Sequence, residues 1–468
     1  MSSLIQLYSW GSGSSGQLAL GNSLDVSSPS QCLNVDSGDS ESQTTQEAQT
    51  QTQPLIRRLA GGGYHTLLLT TSGQLYAAGG NDCGQLGVGD QSNGQSTSNI
   101  ERLTPLNNTY SKTGHIVEIA AGWNHSLALD SNGSVYSWGC NGHCQLGFDS
   151  SSNTTSSSSS AAPKSRIKLK TTRKKQENQY IPRILQLPND VTIVSIACGL
   201  RHSAAISSNG ELFVWGCNKF GQLGLTDRSN EVVSTPTRLD GCIVEQQHRC
   251  ALVACGSKHT MVMTTDACLM SFGNNKFGQL ALGDTEDRPT PCIVDIQSIV
   301  AQSSAASLEI KCGWSNSCLF DKANGALYIV GRGDYGTLGN GTFQSTPRTL
   351  FSRLSSAPFD SVGIANFSMG SEHILCLTKD NKLYSFGWNE HFQLGRGEHV
   401  YVGCPDGDNQ CSPQPIESIS NVLLSMADQS SKVSEATTNN VVDDGDRSSS
   451  SPSVHCGCGH SMLALVHS

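Results

Sequence analysis

The sequence predicts an all-β fold, a single seven-bladed β-propeller over residues 1–468, and three observations carry this prediction. One short pattern recurs seven times, each copy contains a strand-like hairpin, and the seventh copy is divided between the two chain ends. Repetition at a fixed period is typical of solenoids and propellers. The repeat is stronger evidence for the number of domains than the chain length, which alone would suggest about three.

Each copy opens with a glycine, reaches a histidine three residues later in most cases, and continues to a Gly-Gln-Leu-Gly-type segment. Three of the consecutive spacings equal 57 residues, and the longer spacings contain insertions. A unit of this length has room for the several short strands of one blade. The opening glycines are Gly62, Gly122, Gly199, Gly256, Gly313, Gly370 and Gly457.

The interior of each copy predicts a β-hairpin. In one copy, the apolar-rich stretch 126–129 runs into Asn132-Gly133 and then into the stretch 135–138. Tight hairpin turns need positive φ angles, which Asn and Gly tolerate. No segment sustains a helical apolar period over ten or more residues, so we expect little helix.

The divided seventh copy predicts how the ring closes. The copy that begins at Gly457 ends halfway, as GCGHSMLAL, and its missing half stands at 7–21 as LYSWGSGSSGQLALG. We expect the N-terminal strands to pair with the C-terminal half-blade and to close the ring without a covalent link. Radial closure leaves only short, protected sheet edges.

Composition indicates an intracellular, soluble protein. The first ten residues lack a basic leader pattern, and no apolar run is long enough for a membrane span. The 18 cysteines are therefore expected to be reduced thiols. We expect a monomeric ring in the cytoplasm, with the nucleus as an alternative location.

Three polar insertions interrupt the period, at 36–53, 149–179 and 428–453. Their low hydrophobicity and low complexity predict disorder. Each follows a Gly-Gln-Leu-Gly-type segment and precedes the next repeat histidine, so we expect all three on one face of the ring.

The segment 164–175 contains seven Lys and Arg residues and no acid, whereas the chain has a net charge of −9. Without those seven positive charges the rest of the chain carries −16. This charge balance disfavours nucleic-acid binding except through this segment. Three interpretations stay open for it: an import or nucleic-acid patch, a docking site for an acidic partner, or a solvated loop.

The repeated histidines are predicted to be structural. Equivalent groups spread around a ring cannot converge on one reaction centre. Asparagine in one copy keeps the hydrogen bonding and loses the proton chemistry. We expect buried side chains that satisfy backbone groups at blade junctions. The seven residues are His65, His125, His202, His259, Asn316, His373 and His460.

No motif predicts a cofactor, a metal or a catalytic group, so the chain is predicted not to be an enzyme. The glycines of 11–16 fit a dinucleotide fingerprint but lack the helix that would hold a pyrophosphate. Among the Cys and His candidates for zinc, only His143, Cys144, His455 and Cys458 fall outside repeat positions. These four do not form the paired ligand sets typical of zinc sites.

The repeat pattern GxxH, LYxWG and GQLG resembles the regulator of chromosome condensation (RCC-one-like) propeller family, over nearly the whole chain outside the insertions. The segments GLRHSAAISSNGELFVWG from Gly199, GRGDYGTLG from Gly331 and FGWNEHFQLG from Phe386 are similar to one branch. That branch contains the secretion-regulating guanine nucleotide exchange factor and fungal relatives that act in diphthamide synthesis and tRNA wobble-uridine modification.

The resemblance implies a binding propeller that regulates a protein partner. The first implied function is nucleotide exchange on a small GTPase, linked to secretion. One alternative is an accessory subunit that binds a small zinc protein in diphthamide synthesis and tRNA modification. A further alternative is a chromatin-associated exchange factor of the Ran type, which would depend on 164–175.

The candidate contact surface consists of large or charged residues at positions where single copies depart from the repeat. They lie in equivalent loops of two neighbouring copies, and Trp, Tyr and Arg often carry interface energy. The alternative is that Trp388 packs between blades while its charged neighbours are solvated. The candidates are Arg332, Asp334, Tyr335, Trp388, Glu390 and His391.

Overall fold

The seven repeats fold as seven four-stranded antiparallel sheets arranged in a ring. The prediction of an all-β, seven-bladed propeller is confirmed. The computed structural model describes residues 5–32, 56–89, 99–106, 114–148, 177–188, 190–227, 231–239, 248–300, 303–397, 409–420, 422–423 and 452–466.

In each blade, four strands follow one another outward from the ring axis. The first strands are β3 (Ile56–Gly61), β7 (Ile116–Ala121), β11 (Ile193–Cys198), β15 (Cys250–Cys255), β19 (Leu308–Cys312), β23 (Ile364–Met369) and β27 (Ser453–Cys456). The second strands are β4 (His65–Thr70), β8 (His125–Asp130), β12 (His202–Ser207), β16 (His259–Thr264), β20 (Asn316–Asp321), β24 (His373–Thr378) and β28 (His460–Val466).

The outer half of each blade is equally regular. The third strands are β5 (Leu75–Gly79), β9 (Val135–Gly139), β13 (Leu212–Cys217), β17 (Leu269–Gly273), β21 (Ala326–Gly333), β25 (Leu383–Gly387) and β1 (Ile5–Gly11). The fourth strands are β6 (Ile100–Pro105), β10 (Gln179–Ile184), β14 (Val232–Arg238), β18 (Arg288–Val294), β22 (Gln344–Arg353), β26 (Gln410–Pro415) and β2 (Val26–Gln31). Blades 1 to 6 follow in chain order from β3, and blade 7 contains β27, β28, β1 and β2.

Blade 7 closes the ring by pairing the two ends of the chain. β1 lies antiparallel to β28, and its register runs from Ile5 opposite Val466 to Gly11 opposite His460. The sheet order is β2-β1-β28-β27. The predicted closure between the N-terminal strands and the C-terminal half-blade is confirmed.

The hydrophobic core lies between adjacent blades. One cluster joins Leu67 and Leu86 of blade 1 to Ile119 and Trp138 of blade 2. The second strand of blade 1 is buried at every position, because its two faces pack against neighbouring blades. Trp138 is fully buried, and its indole N–H donates to the backbone carbonyl of Gln85, 2.9 Å away. A buried tryptophan needs such a partner for its N–H.

Two kinds of connection emerge on one face of the ring, which we call the loop face. In blade 1, His65 begins the second strand and pairs with Gly79, which ends the third strand. The turn before the second strand and the segment after the third strand therefore share this face. The hairpin between the second and third strands, and the link from each fourth strand to the next blade, lie on the opposite face.

The prediction that all three insertions share one face is wrong. Residues 149–176 follow β9, a third strand, whereas 33–55 and 424–451 follow the fourth strands β2 and β26. The segment between a Gly-Gln-Leu-Gly motif and the next repeat histidine contains a fourth strand. It therefore contains connections on both faces.

The predicted insertion 36–53, and most of 149–179 and 428–453, lie outside the described residues. The basic cluster 164–175 lies outside them as well. Two insertion boundaries need correction. Gln179 begins β10 and pairs with Gly139, and Ser453 begins β27 and pairs with Ala464. Both residues belong to blade sheets because they complete the backbone hydrogen bonds of their strands.

Helix is scarce in the described part of the chain, as the missing helical periodicity predicts. Two short helices, Gln297–Val300 and Ala357–Val362, and one turn of 3-10 helix, Ala305–Ser307, precede first strands. Residues 417–420 and 422–423 are also helical. None of the described helices is long and apolar enough to cross a membrane.

Candidate partner-binding site

The repeat histidines link neighbouring blades. In six junctions, the histidine Nε2 atom of one blade lies 2.8–3.0 Å from a Ser or Thr hydroxyl of the next blade. That hydroxyl donates to the carbonyl of the repeat glutamine in the first blade, at 2.8–2.9 Å. The histidine therefore contacts a side chain, and it reaches the backbone only through a hydroxyl, which corrects the predicted direct contact.

The glycine that opens each copy makes this link possible. A Cβ atom at Gly122 would overlap the ring of His125 and the carbonyl of Gly199. Since the hydroxyl donates its proton to the carbonyl, the histidine Nε2 atom must carry the proton. Burial lowers the pKa of the six histidines to about 3 or 4, so the rings are neutral at pH 7.

The junction between blades 5 and 6 departs from this pattern at three positions. Asn316 replaces the histidine, Thr337 replaces the glutamine, and Ile374 stands where the other blades have a hydroxyl. The Asn316 amide instead donates to the backbone carbonyl of Arg332, 2.7 Å away. The Thr337 hydroxyl donates to the carbonyl of Glu372, at 3.0 Å. The substitutions replace the linking hydrogen bonds of this junction with a different set.

A buried carboxyl group lies at the altered junction. The side chain of Glu372 is 3% exposed, and the hydroxyls of Ser315 and Thr337 lie beside its carboxyl group. Burial raises the pKa of Glu372 to about 8, against the attraction of the Arg332 guanidinium. The carboxyl group is therefore largely protonated at pH 7. Sequence reasoning missed this residue, because nothing in its local pattern indicates that it is buried.

Arg332 is held in place from several sides. Its guanidinium donates to Asp334 at 2.8 Å and forms an ion pair with the same carboxylate. It also lies 4.2 Å from the ring centroid of Tyr335 and 4.9 Å from that of Phe277 in blade 4. Stacking between two rings suits the planar, weakly hydrated guanidinium. Arg332 is therefore fixed in one orientation on the loop face.

The aromatic contacts continue into blade 6. The rings of Tyr335 and Trp388 lie 6.4 Å apart, and Trp388 meets His391 edge to face at 5.6 Å. His391 reaches Asp25 of blade 7, with Nδ1 and Oδ2 3.0 Å apart. Glu390 is exposed beside this row. The structure thus brings five of the six predicted residues into one contact chain, with Glu390 at its edge and Trp388 half-buried within it.

The row extends across blades 3 and 4, where sequence reasoning missed the lysines and the phenylalanine rings. Exposed lysines surround two half-buried rings there: Lys258 lies 4.8 Å from the Phe220 centroid, and Lys276 lies 5.3 Å from the Phe277 centroid. Phe220 and Phe277 occupy the repeat position of Tyr335, Lys219 and Lys276 that of Asp334, and Arg201 and Lys258 that of Glu372, so a comparison around the ring would have found them. We call the whole set the cation–aromatic arc: Arg201, Lys219, Phe220, Lys258, Lys276, Phe277, Arg332, Tyr335 and Trp388.

A separate aromatic group lies at the central channel. Tyr64 and Trp123 meet at 5.2 Å between ring centroids, and Trp123 meets Trp314 at the same distance. Both tryptophans line the central cavity, together with thiols at the ends of first strands such as Cys198 and Cys255. Their mutual contact is therefore separate from the contacts that form the arc.

The described residues contain no group of three or more His, Cys, Asp or Glu side chains placed to hold a metal ion. Burial raises the pKa of the channel thiols, to about 12 for Cys312 and Cys456. These thiols are therefore protonated and weak ligands at neutral pH.

The closed ring and its asymmetric loop face define a repeat β-propeller with one distinctive surface. A profile of the RCC1-like domain matches residues 6–434. An RCC1 domain-containing protein of Dictyostelium discoideum is 33% identical, and the alignment covers 89% of this chain and 96% of that protein. The chain belongs to the RCC1-like domain family.

Two further similarities bear on function and fold. The secretion-regulating guanine nucleotide exchange factor of Bos taurus is 28% identical, over 85% of this chain and 77% of that protein. The structure of Prp20p from Saccharomyces cerevisiae, described with its binding properties to Gsp1p and histones, superposes with a TM-score of 0.70 at 22% identity. That alignment covers 99% of this chain and 92% of Prp20p. The Prp20p match supports the fold.

Proposed function

We propose that the chain is a non-enzymatic regulator that binds a small GTPase through the cation–aromatic arc and promotes nucleotide exchange. The observation that carries the proposal is the altered junction between blades 5 and 6. There Arg332, Tyr335 and Trp388 form one ordered group on the loop face. Such residues are the usual anchors of protein interfaces.

The charge of the arc favours an acidic partner surface. Arg201, Lys219, Lys258 and Lys276 are exposed on the loop face of a chain whose net charge is −9. Positive charge concentrated on one face steers a negatively charged partner toward that face. The neighbouring rings supply apolar area at low entropic cost, because aromatic side chains have few rotatable bonds.

Similarity supports exchange as the regulatory activity. The Bos taurus relative is a guanine nucleotide exchange factor, and the Prp20p structure was described with binding to Gsp1p. An exchange factor acts by binding the nucleotide-free GTPase more tightly than the nucleotide-bound form, which shifts the equilibrium by that difference. We propose the cytoplasm as its location, with the nucleus as the alternative.

Nucleotide release from purified GTPases tests the proposal. A panel of small GTPases loaded with fluorescent GDP is mixed with the wild-type chain, with Arg332→Ala/Trp388→Ala, or with Lys379→Glu. Lys379 is exposed on the opposite face and serves as the control. We expect the wild type and the control to accelerate release from one GTPase, and the double variant to lose most of this effect.

Two outcomes would contradict the proposal. Equal acceleration of nucleotide release by all three proteins would show that the arc does not take part in nucleotide exchange. No acceleration with any GTPase, together with retention of a small zinc protein from extract, would favour the modification-pathway accessory role.

A further inference from the structure

Phe392 adopts a backbone conformation that a bulky side chain disfavours. It follows His391 in the segment after β25, and its φ angle is +61°. The equivalent position has a positive φ angle in all seven blades, and five of the other six blades have glycine there. The remaining blade has Cys144, which is small and buried. Blade 6 therefore keeps a benzyl group at a position where it strains the backbone.

The close approach of the next blade explains why glycine is usual at this position. In blade 5, a Cβ atom on Gly336 would lie 2.4 Å from the carbonyl oxygen of Gln410, which begins the fourth strand of blade 6. For Phe392, the corresponding strand is β2 of blade 7. The N–H of Gly397 donates to the carbonyl of Ser27 in β2, 2.7 Å away. Phe392 therefore lies at the rim between blades 6 and 7.

The Phe392 ring adds nothing to the interior that the structure describes. The residue is half-buried, and it belongs to none of the apolar clusters that the described residues form. Backbone strain that core packing does not offset is concentrated at functional sites in proteins. The strain at Phe392 therefore indicates a contact with another molecule.

A second apolar side chain lies at the same junction on the loop face. Leu24 comes shortly before β2 and is 67% exposed, more than any other large apolar residue in the described part of the chain. Its neighbour Asp25 contacts His391, the neighbour of Phe392, with Oδ2 and Nδ1 3.0 Å apart. His391 also meets Trp388 edge to face. Leu24 and Phe392 thus flank a link that continues into the arc.

We propose that Leu24 and Phe392, which we call the rim site, bind an apolar side chain of the partner GTPase. The lysines of blades 3 and 4 attract acidic groups, whereas the rim site suits an apolar group. These chemically different ends would fix the orientation of the partner on the ring. The rim site rests on the proposed function, because its partner is the same small GTPase.

Two substitutions at one position separate the strain from the contact. Phe392→Gly removes both the ring and the strain, whereas Phe392→Ala removes the ring and keeps the strain. We expect the glycine variant to melt at a higher temperature than the alanine variant, and no lower than the wild type. A melting temperature below that of the wild type in both variants would show that the ring packs within the chain, and would overturn the proposal.

The affinity for the nucleotide-free GTPase that responds in the release assay tests the contact itself. We expect both Phe392 variants and Leu24→Ser to bind about tenfold more weakly than the wild type. Two controls should bind like the wild type. Asn381→Gly places glycine at a φ angle of +58° in the hairpin after β24, on the opposite face. Leu350→Ser removes an exposed leucine from the outer strand β22.

Failure of the rim site and failure of the proposed function give different results. Wild-type affinity in the Phe392 and Leu24 variants, with weaker binding of Arg332→Ala/Trp388→Ala, would overturn the rim site and leave the proposed function in place. A wild-type chain that accelerates release from no GTPase would overturn both.

Discussion

The Nε2 atom of His460 lies 2.9 Å from the Oγ1 atom of Thr66, although the two residues are 394 positions apart in the sequence. This hydrogen bond joins blade 7 to blade 1. The same Thr66 hydroxyl donates to the backbone carbonyl of Gln17, 2.8 Å away. Gln17 lies in the N-terminal part of the chain, which forms the outer half of blade 7. One hydroxyl therefore connects three distant segments at the closure of the ring.

The closing link predicts a measurable loss of stability in Thr66→Val. Valine has nearly the same shape, but it leaves the buried His460 N–H and the Gln17 carbonyl without their partner. We expect the free energy of unfolding to fall by about 1–3 kcal/mol, the usual cost of an unsatisfied buried polar group. Urea unfolding followed by circular dichroism measures the change. The exposed Thr235→Val is the matched control, and an equal loss in both variants would contradict this account.

The six buried histidines predict sensitivity to acid. Their folded-state pKa is about 3 or 4, below the value of about 6.5 expected for the unfolded chain. The unfolded state therefore binds more protons as the pH falls below 6.5, and stability decreases. Each histidine contributes about 1.4 kcal/mol per pH unit in this window. Glu372 has the opposite effect on stability, because its carboxyl group binds one proton more in the folded state than in the unfolded state over this pH range.

A single substitution isolates one of these contributions. His202→Gln retains an amide that can donate to the Thr260 hydroxyl but cannot titrate. The unfolding free energy is measured with urea between pH 4.5 and 6.5. We expect its slope against pH to be smaller in the variant than in the wild type by the contribution of one proton. An unchanged slope would show that His202 binds protons in the folded state as readily as in the unfolded chain.

The buried carboxyl group predicts the opposite pH dependence for Glu372→Gln. Because the folded-state pKa of Glu372 is about 8, above the unfolded value, Glu372 destabilises the fold increasingly from about pH 4.5 to pH 8. Glutamine removes this effect, so the variant should gain about 1.4 kcal/mol per pH unit across that window. Thermal unfolding at pH 5, 6.5 and 8 measures the gain. The exposed Glu390→Gln is the matched control, and a constant gain for Glu372→Gln at all three pH values would contradict the prediction.

The sequence predicted the ring because its signals are local and repeated. The hairpin turn requires residues such as Asn132-Gly133, and close packing requires a glycine at position 122. Both requirements are similar in every blade. The fourth strands were harder to predict. β2 and β26 contain proline and few alternating apolar residues, so the faces of the insertions were assigned wrongly.

Only part of the candidate site could be predicted, because only residues that depart from the repeat stand out in the sequence. Arg332 and Trp388 stand out because their copies depart from the repeat. Lys258 and Phe220 look ordinary within their own copies; they stand out only when equivalent positions are compared around the ring, and their contact across a junction shows that they belong to the same surface. Glu372 could not be recognised because its burial depends on side chains brought from blade 5.

The affinity of the arc for the responding GTPase tests the central claim most directly. The dissociation constant of the nucleotide-free GTPase is measured for the wild type, for Lys258→Glu/Lys276→Glu, and for Lys379→Glu on the opposite face. The account predicts at least about tenfold weaker binding for the double variant, equivalent to about 1.4 kcal/mol, and no change for the control. Equal affinity for all three proteins would show that the partner binds elsewhere on the ring.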